Sequence, residues 1–378
     1  MERLTSTPRS DWQEKFEKMG FAFHSLDGIY WNEAACYRFS ADQIDELEAA
    51  TAELHRLCRA AVGFVISNEL WDEFRIPQEF GEYIKQSWQN NEPSLFGRFD
   101  LSYDGHQPPK MLEYNADTPT SLMETAIAQW HWLQETHPDD DQFNSLHEKL
   151  IARWRNMASH PSHPLPKLLH FACIRDNEED RVNLDYLIDT ALQAGMDARF
   201  IHIEDIGLNT AGCFVNLADQ PITTLFKLYP WEWMVREEFA ASLCKNKLQM
   251  IEPPWKMILS NKALLPILWE MFPNHPNLLP AYFDAAPLGQ RYVAKPIFSR
   301  EGADIELRDG SKSVRGKVEG YGTEGFIYQA LADLPTFAGR YPIIGSWIVG
   351  DEPAGMGIRE DETPITSNTS HFLPHYFV

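Results

Sequence analysis

Between residues 41 and 66, apolar side chains return every three or four positions, at Ile44, Leu47, Ala50, Leu54 and Leu57, and this period predicts an amphipathic helix from Ala41 to Ile66. A period of two takes over at Phe96. Gly97, Phe99 and Leu101 alternate with Arg98 and Asp100, and Leu112 and Tyr114 alternate with Glu113 and Asn115. Asp104-Gly105, followed by Pro108 and Pro109, predicts that the two segments fold back as a hairpin with Arg98, Asp100, Glu113 and Asn115 on one face. Further on the pattern predicts a helix from Ser121 to Leu133, with Thr118, Thr120 and Ser121 at its entrance as capping or ligand groups. Pro138 to Asp141 reads as a solvated loop before a helix near Gln142. A strand over Leu168–Ile174, a helix over Asp180–Ala194 and a strand over Ala198–Ile203 make a βαβ unit with a parallel sheet. The last third alternates a helix from Lys262 to Met271 with strands at Tyr292–Pro296, Phe326–Leu331, Ile343–Val349 and Gly355–Ile358, a second α+β lobe.

Composition narrows the partners. The 378 residues are 44% hydrophobic with 12 Trp, enough for a large core and against disorder. Against 55 Asp+Glu stand 33 Lys+Arg, a net charge of -22, which repels nucleic acid and anionic lipid and attracts cations. The five cysteines are scattered without metal-ligand spacing, which suits reduced thiols. The first twenty residues lack an apolar core and no later run reaches membrane-spanning length, so a cytoplasmic location is expected.

The chemistry concentrates on the hairpin. Two carboxylates and a carboxamide, hard oxygen donors beside a guanidinium, suit a magnesium-phosphate site, while the same pattern also fits a hairpin with one wet face. Lys262 and Lys295 stand at element ends, Lys295 before a loop of Ser299, Arg300, Glu301 and Gly302, where they either neutralise phosphates or face solvent. The acidic run from Arg175 to Asp180 follows a strand's carboxyl end, where it either contacts a cationic substrate or complements a helix dipole. Walker, dinucleotide-fingerprint, zincin and nucleophile-elbow motifs are absent, and no cysteine has the setting of an activated nucleophile.

Seven blocks carry a resemblance: RFDL, LEYNADTPTSL, KLYPWEWM, SNKALLPILWEMFP, KPIFSREGA, IYQALADLP and GIREDETPIT. In this order, and across roughly Asp11 to Val378, they resemble the synthetase part of the glutathionylspermidine synthase family, in particular stand-alone bacterial members described as candidate acid–amine ligases. The resemblance implies an α+β / α/β chain of ATP-grasp type, with a helical N-terminal region and a small parallel-sheet, pre-ATP-grasp-like lobe. The expected organisation is 1–165 for the helical region with the metal-site hairpin, 166–255 for a βαβ substrate-binding lobe and 256–378 for the nucleotide lobe, one interleaved unit without the amidase domain of bifunctional members.

By that resemblance, Asp100, Glu113 and Asn115 bind two Mg²⁺, and Arg98 lies beside the phosphates and the acyl group. Lys262, Lys295, Glu301 and Gly302 hold ATP phosphates, Gln329, Ala330, Leu331 and Ala332 run along the adenine, and Pro364, Ile365 and Thr366 lie against the nucleotide. Arg359 stabilises an acyl phosphate, and Thr118, Thr120, Ser121 and Glu178 or Glu179 meet the substrates. The implied activity is ATP-dependent amide formation between a small-molecule acid and amine, with release of ADP and phosphate. A regulatory protein that only binds nucleotide, and a phosphotransferase using the same cleft, are the alternatives. Two departures bear on the substrates: Ser121 stands where bifunctional members carry Cys, and LYPWEW replaces a Thr-containing segment.

Overall fold

A computed structural model describes residues 1–25, 28–245 and 248–378. The helix Ala41–Ser67 begins where Ser40 and Gln43 cap each other reciprocally and buries Leu47, Leu54, Leu57, Ala61, Val62 and Val65 on one face. That face lies on a five-stranded antiparallel sheet, ordered His371–Leu373, Glu352–Asp361, Tyr341–Val349, Phe96–Ser102 and Lys110–Asn115. Thr51 and Ser346 hydroxyls meet at 2.7 Å across this contact. The expected hairpin therefore supplies two strands of a sheet completed by three from the far end of the chain, which puts Arg359 within reach of Asp100.

The βαβ expectation holds. Leu168–Cys173 and Asp197–His202 pair in parallel around the helix Glu178–Gln193, inside a four-stranded parallel sheet ordered Gln249–Ile251, Thr224–Leu228, Leu168–Cys173 and Asp197–His202. A third sheet, antiparallel, runs Ala281–Tyr282, Phe326–Ala330, Arg291–Pro296, Glu306–Asp309 and Lys312–Arg315. The fold is thus mixed α+β, with parallel and antiparallel sheets. Among the described residues no helix is long and apolar enough to cross a membrane.

Three local expectations need correction. The helix expected near Gln142 starts at Leu146, because Asp141 bridges to Phe377 and Gln142 Nε2 donates to the Gln129 and His375 carbonyls instead. The helix expected over Ser121–Leu133 opens as a π-helical turn, Met123–Ala128, before the α-helix Gln129–Thr136. Leu112 does not share the core face with Tyr114. A bulge shifts the register between Asp100 and Leu101, so Leu101 pairs with Met111 and Leu112 turns to the polar side.

Candidate functional site

The hairpin's polar face forms as its alternation requires. Asp100 sits opposite Glu113 and Arg98 opposite Asn115 in the ladder, while Phe99 and Tyr114 stack on the other face with ring centroids 3.9 Å apart. Asp104 Oδ1 accepts the His106 and Gln107 amides and Gly105 takes φ +83°, which closes the turn. Below the hairpin a buried pair anchors both strands. Glu252 accepts the Leu95 and Phe96 amides, and Lys256 donates to the Phe96 and Ala116 carbonyls at 2.7 and 2.9 Å.

Asp100 lies between two guanidiniums. Arg98 Nε reaches its Oδ1 and an Arg359 terminal nitrogen its Oδ2, both at 3.0 Å. Gly345, across the ladder from Asp100, makes room for Arg98: a Cβ there would lie 2.9 Å from Arg98 Cδ. Glu113 accepts from Asn115 at 3.1 Å and lies 3.2 Å from Lys262 Nζ. Burial alone would push the Glu113 carboxyl up, but Lys262 and Lys295 reverse this and hold it well below the usual range. Lys295 donates to the carbonyl of the bulged Leu112 at 2.7 Å and to Gln329 Oε1 at 2.8 Å. Burial pushes its ammonium down to about 8, with Glu113 opposing and Lys262 adding.

Two cavities meet at this face. One is an apolar slot of about 90 Å³, lined by Leu112, Val293, Ile305, Leu307 and Ile343 with Gln329, Ala330, Leu331, Ala332, Pro364, Ile365 and Thr366. The other is a polar cavity of about 230 Å³ that holds Arg98, Arg359, Thr118, Thr120, Ser121, Glu179 and Glu301. Glu113, Gly302 and Thr366 line both. Lys262 lines a smaller recess beside Glu113, Asn115 and Thr118. Of the alternatives at the helix start, Glu179 faces the polar cavity and Glu178 is exposed.

The parallel sheet fastens the entrance segment. Lys227, fully buried, reaches Asp117 at 2.6 Å, and Asp117 Oδ2 accepts the Trp231 amide at 2.8 Å. That holds the stretch carrying Thr118 and Thr120 against the sheet. The loop after Lys295 lies over the cavity through Arg300, which donates to Thr118 Oγ1 at 3.0 Å and to Glu232 at 2.9 Å. At Gly302, φ +71°, a Cβ would meet the Thr366 carbonyl at 2.4 Å, so only glycine allows this approach.

Asp180 of the acidic run and Tyr229 and Trp233 of the LYPWEW segment line the polar cavity, and so do Tyr30, Arg300, Ser367 and Asn368, which sequence reasoning had not assigned to a site. Arg300 carried a signal, a cation in a glycine-containing loop next to Lys295. Tyr30 carried none, being 68 residues before Arg98 in an unpatterned stretch.

The donor set suits a hard divalent cation in part. Asp100 and Glu113 are oxygen donors paired across one ladder, and both are now neutralised by protein cations. No group of three or more His, Cys, Asp or Glu able to hold a metal exists among the described residues. A magnesium here would take its remaining positions from phosphate and water, as that ion ordinarily does.

A slot beside two lysines that both act on Glu113, opening on a cavity with paired guanidiniums, fits the class of carboxylate–amine ligases. The chain belongs to the glutathionylspermidine synthase preATP-grasp family, whose model matches residues 3–378. It is 43% identical to a protein of Haemophilus influenzae described as a candidate acid–amine ligase, over 100% of both chains. It is 27% identical to the bifunctional glutathionylspermidine synthetase/amidase of Escherichia coli, covering 96% of this chain and 63% of that one. In fold it is similar to a glutathione synthetase-like effector of Globodera pallida, with a TM-score of 0.54 at 12% identity, covering 90% of this chain and 89% of that one.

Proposed function

We propose that this protein is an ATP-dependent ligase that activates a small carboxylic acid as an acyl phosphate and transfers the acyl group to an amine. The observation that carries it is the junction of the two cavities, where Glu113, Gly302 and Thr366 line both. Adenine in the slot would lie along Gln329 to Ala332 and against Pro364 to Thr366, with its phosphates toward Lys262, Lys295, Glu301 and Gly302. The acid then lies in the polar cavity, its carboxylate facing Arg98 and Arg359 from the cavity side.

The carboxylate attacks the γ-phosphate and ADP leaves. The amine next attacks the acyl carbon and phosphate leaves. Arg98 and Arg359 serve the first step by neutralising charge on the transferring group from fixed positions, an electrostatic task. Magnesium held by Asp100, Glu113 and Asn115 would neutralise charge on the phosphate oxygens. Residues 256–378 would supply most of the nucleotide contacts and 166–255 the wall carrying Glu179, the hairpin within 1–165 joining them.

The amine class follows from the acids at the cavity wall. Glu179 and Asp180 favour a cationic amine, and burial with Glu179's charge pushes the Asp180 carboxyl up to about 7, as expected of clustered acids awaiting a cation. The names of the relatives make glutathione and spermidine the first pair to test. The test is phosphate release from Mg-ATP over a matrix of acids and amines. Release that requires one acid and one amine together supports the ligase; ADP formed with one acceptor alone, the phosphoryl group staying on that acceptor and no free phosphate appearing, refutes it in favour of phosphotransfer.

A further inference from the structure

Behind the cavity wall lies a carboxyl that acyl activation does not use. Glu124 is fully buried in the π-helical turn Met123–Ala128, and such turns concentrate at functional sites. Its Oε1 accepts the Tyr30 hydroxyl at 2.6 Å. Its Oε2 is buried and has no hydrogen-bond partner among the described residues. An unsatisfied buried carboxylate oxygen is destabilising, so a site that keeps one asks for a reason beyond packing. Tyr30 lines the polar cavity with Glu179, Arg98 and Arg359. A hydrogen-bonded line therefore leads from the cavity through a phenol to a buried acceptor.

We propose that Tyr30 and Glu124 form a proton relay that deprotonates the cationic amine as it attacks the activated acyl group. The inference rests on the ligase reading above. An ammonium has no lone pair to attack with. As the amine gives an N–H proton to the Tyr30 oxygen, Tyr30 gives its hydroxyl proton to Glu124, and the freed lone pair forms the C–N bond. The acyl C–O bond to phosphate then breaks, its electron pair leaves on phosphate, and phosphate takes the second nitrogen proton. After release, the Glu124 proton returns to solvent through Tyr30.

The surroundings set both groups for this. Burial pushes the Glu124 carboxyl up to about 7, against the Tyr30 hydrogen bond and Arg98 and with Glu179 adding. Burial, Glu124 and Glu179 hold the Tyr30 phenol well above its ordinary range, so it stays protonated and passes a proton only by giving up its own. Glu179 and Asp180 face the cavity directly, but a carboxylate that takes the proton itself loses the charge that holds the cation. The relay removes the proton and leaves that charge in place.

Hydroxylamine is already unprotonated at neutral pH, so it traps the acyl group without needing the relay. With glutathione as acid, hydroxamate formation and spermidine conjugation are compared in wild type, E124Q, Y30F and E179Q from about pH 6 to 9. The ratio of spermidine to hydroxylamine turnover should fall about 100-fold in E124Q and Y30F. The rise of the wild-type spermidine rate through about pH 7, where Glu124 ionises, should vanish in E124Q. An unchanged ratio in both variants overturns the relay and leaves the ligase standing. Loss of ratio and pH limb in E179Q alone overturns it in favour of direct deprotonation. A wild type that makes neither hydroxamate nor conjugate with any acid of the matrix removes the ligase reading, and the relay with it.

Discussion

Asp117→Asn tests whether the parallel sheet holds the segment carrying Thr118 and Thr120 in place. Asp117 and Lys227 side chains are 1% and 0% exposed, 2.6 Å apart, and Lys227 also donates to the Tyr229 carbonyl at 2.9 Å. Burial pushes the Asp117 carboxyl up and the Lys227 ammonium down, and each charge partly offsets the shift of the other. The substitution keeps the shape and an acceptor for the Trp231 amide, but strands a buried ammonium. Removing one partner of such a pair costs about 3–5 kcal/mol, and the retained acceptor places this variant near ~3 kcal/mol. Adding Lys227→Met removes the stranded charge and should restore most of that loss. Urea unfolding followed by Trp fluorescence measures both, and turnover below the transition should drop as well, because Thr118 and Thr120 follow Asp117 directly. A single variant within ~1 kcal/mol of wild type, or a double variant as unstable as the single, would refute the argument.

Glu113→Gln should lower Mg-ATP turnover about 100-fold or more with the fold intact by circular dichroism; wild-type turnover would sink its role at the phosphates. Nucleotide phosphates favour the charged form of Lys295, whose free ammonium sits at about 8. ATP binding above that pH must then take up a proton, so affinity by calorimetry should be level below pH 8 and fall up to about tenfold per unit above it, with the dependence lost in Lys295→Arg. Gly345→Ala drives a methyl toward Arg98 Cδ, 2.9 Å away, and should destabilise by ~1–3 kcal/mol while cutting acid-dependent ADP release by more than about tenfold. A fully active Gly345→Ala would mean that Arg98 need not hold its present position.

The local elements were legible because local patterns determine them. The three-to-four period of 41–66, the alternation of 96–101 and the turn chemistry of Asp104-Gly105 each encode one element, and the structure returns the helix Ala41–Ser67 and the ladder of Asp100 with Glu113. The family was legible through blocks such as LEYNADTPTSL. Three things were not. The Leu112 bulge needs two strands to disagree in length, which neither states alone. The π-helical turn at Met123–Ala128 breaks the period by too little to read. Tyr30 reaches the site from an unpatterned stretch that no spacing rule connects to Glu124.

The sequence by itself determined which residues could carry charge and on which face of their own strand or helix, because backbone periodicity is local. Tertiary structure alone decided which charges meet. Asp100 lies between Arg98, two residues away, and Arg359, 259 residues away, only because the strands Phe96–Ser102 and Glu352–Asp361 flank Tyr341–Val349 in one sheet. The protonation states follow from that meeting: burial and charge neighbours, not residue type, bring Lys295 down to about 8 and Glu124 up to about 7.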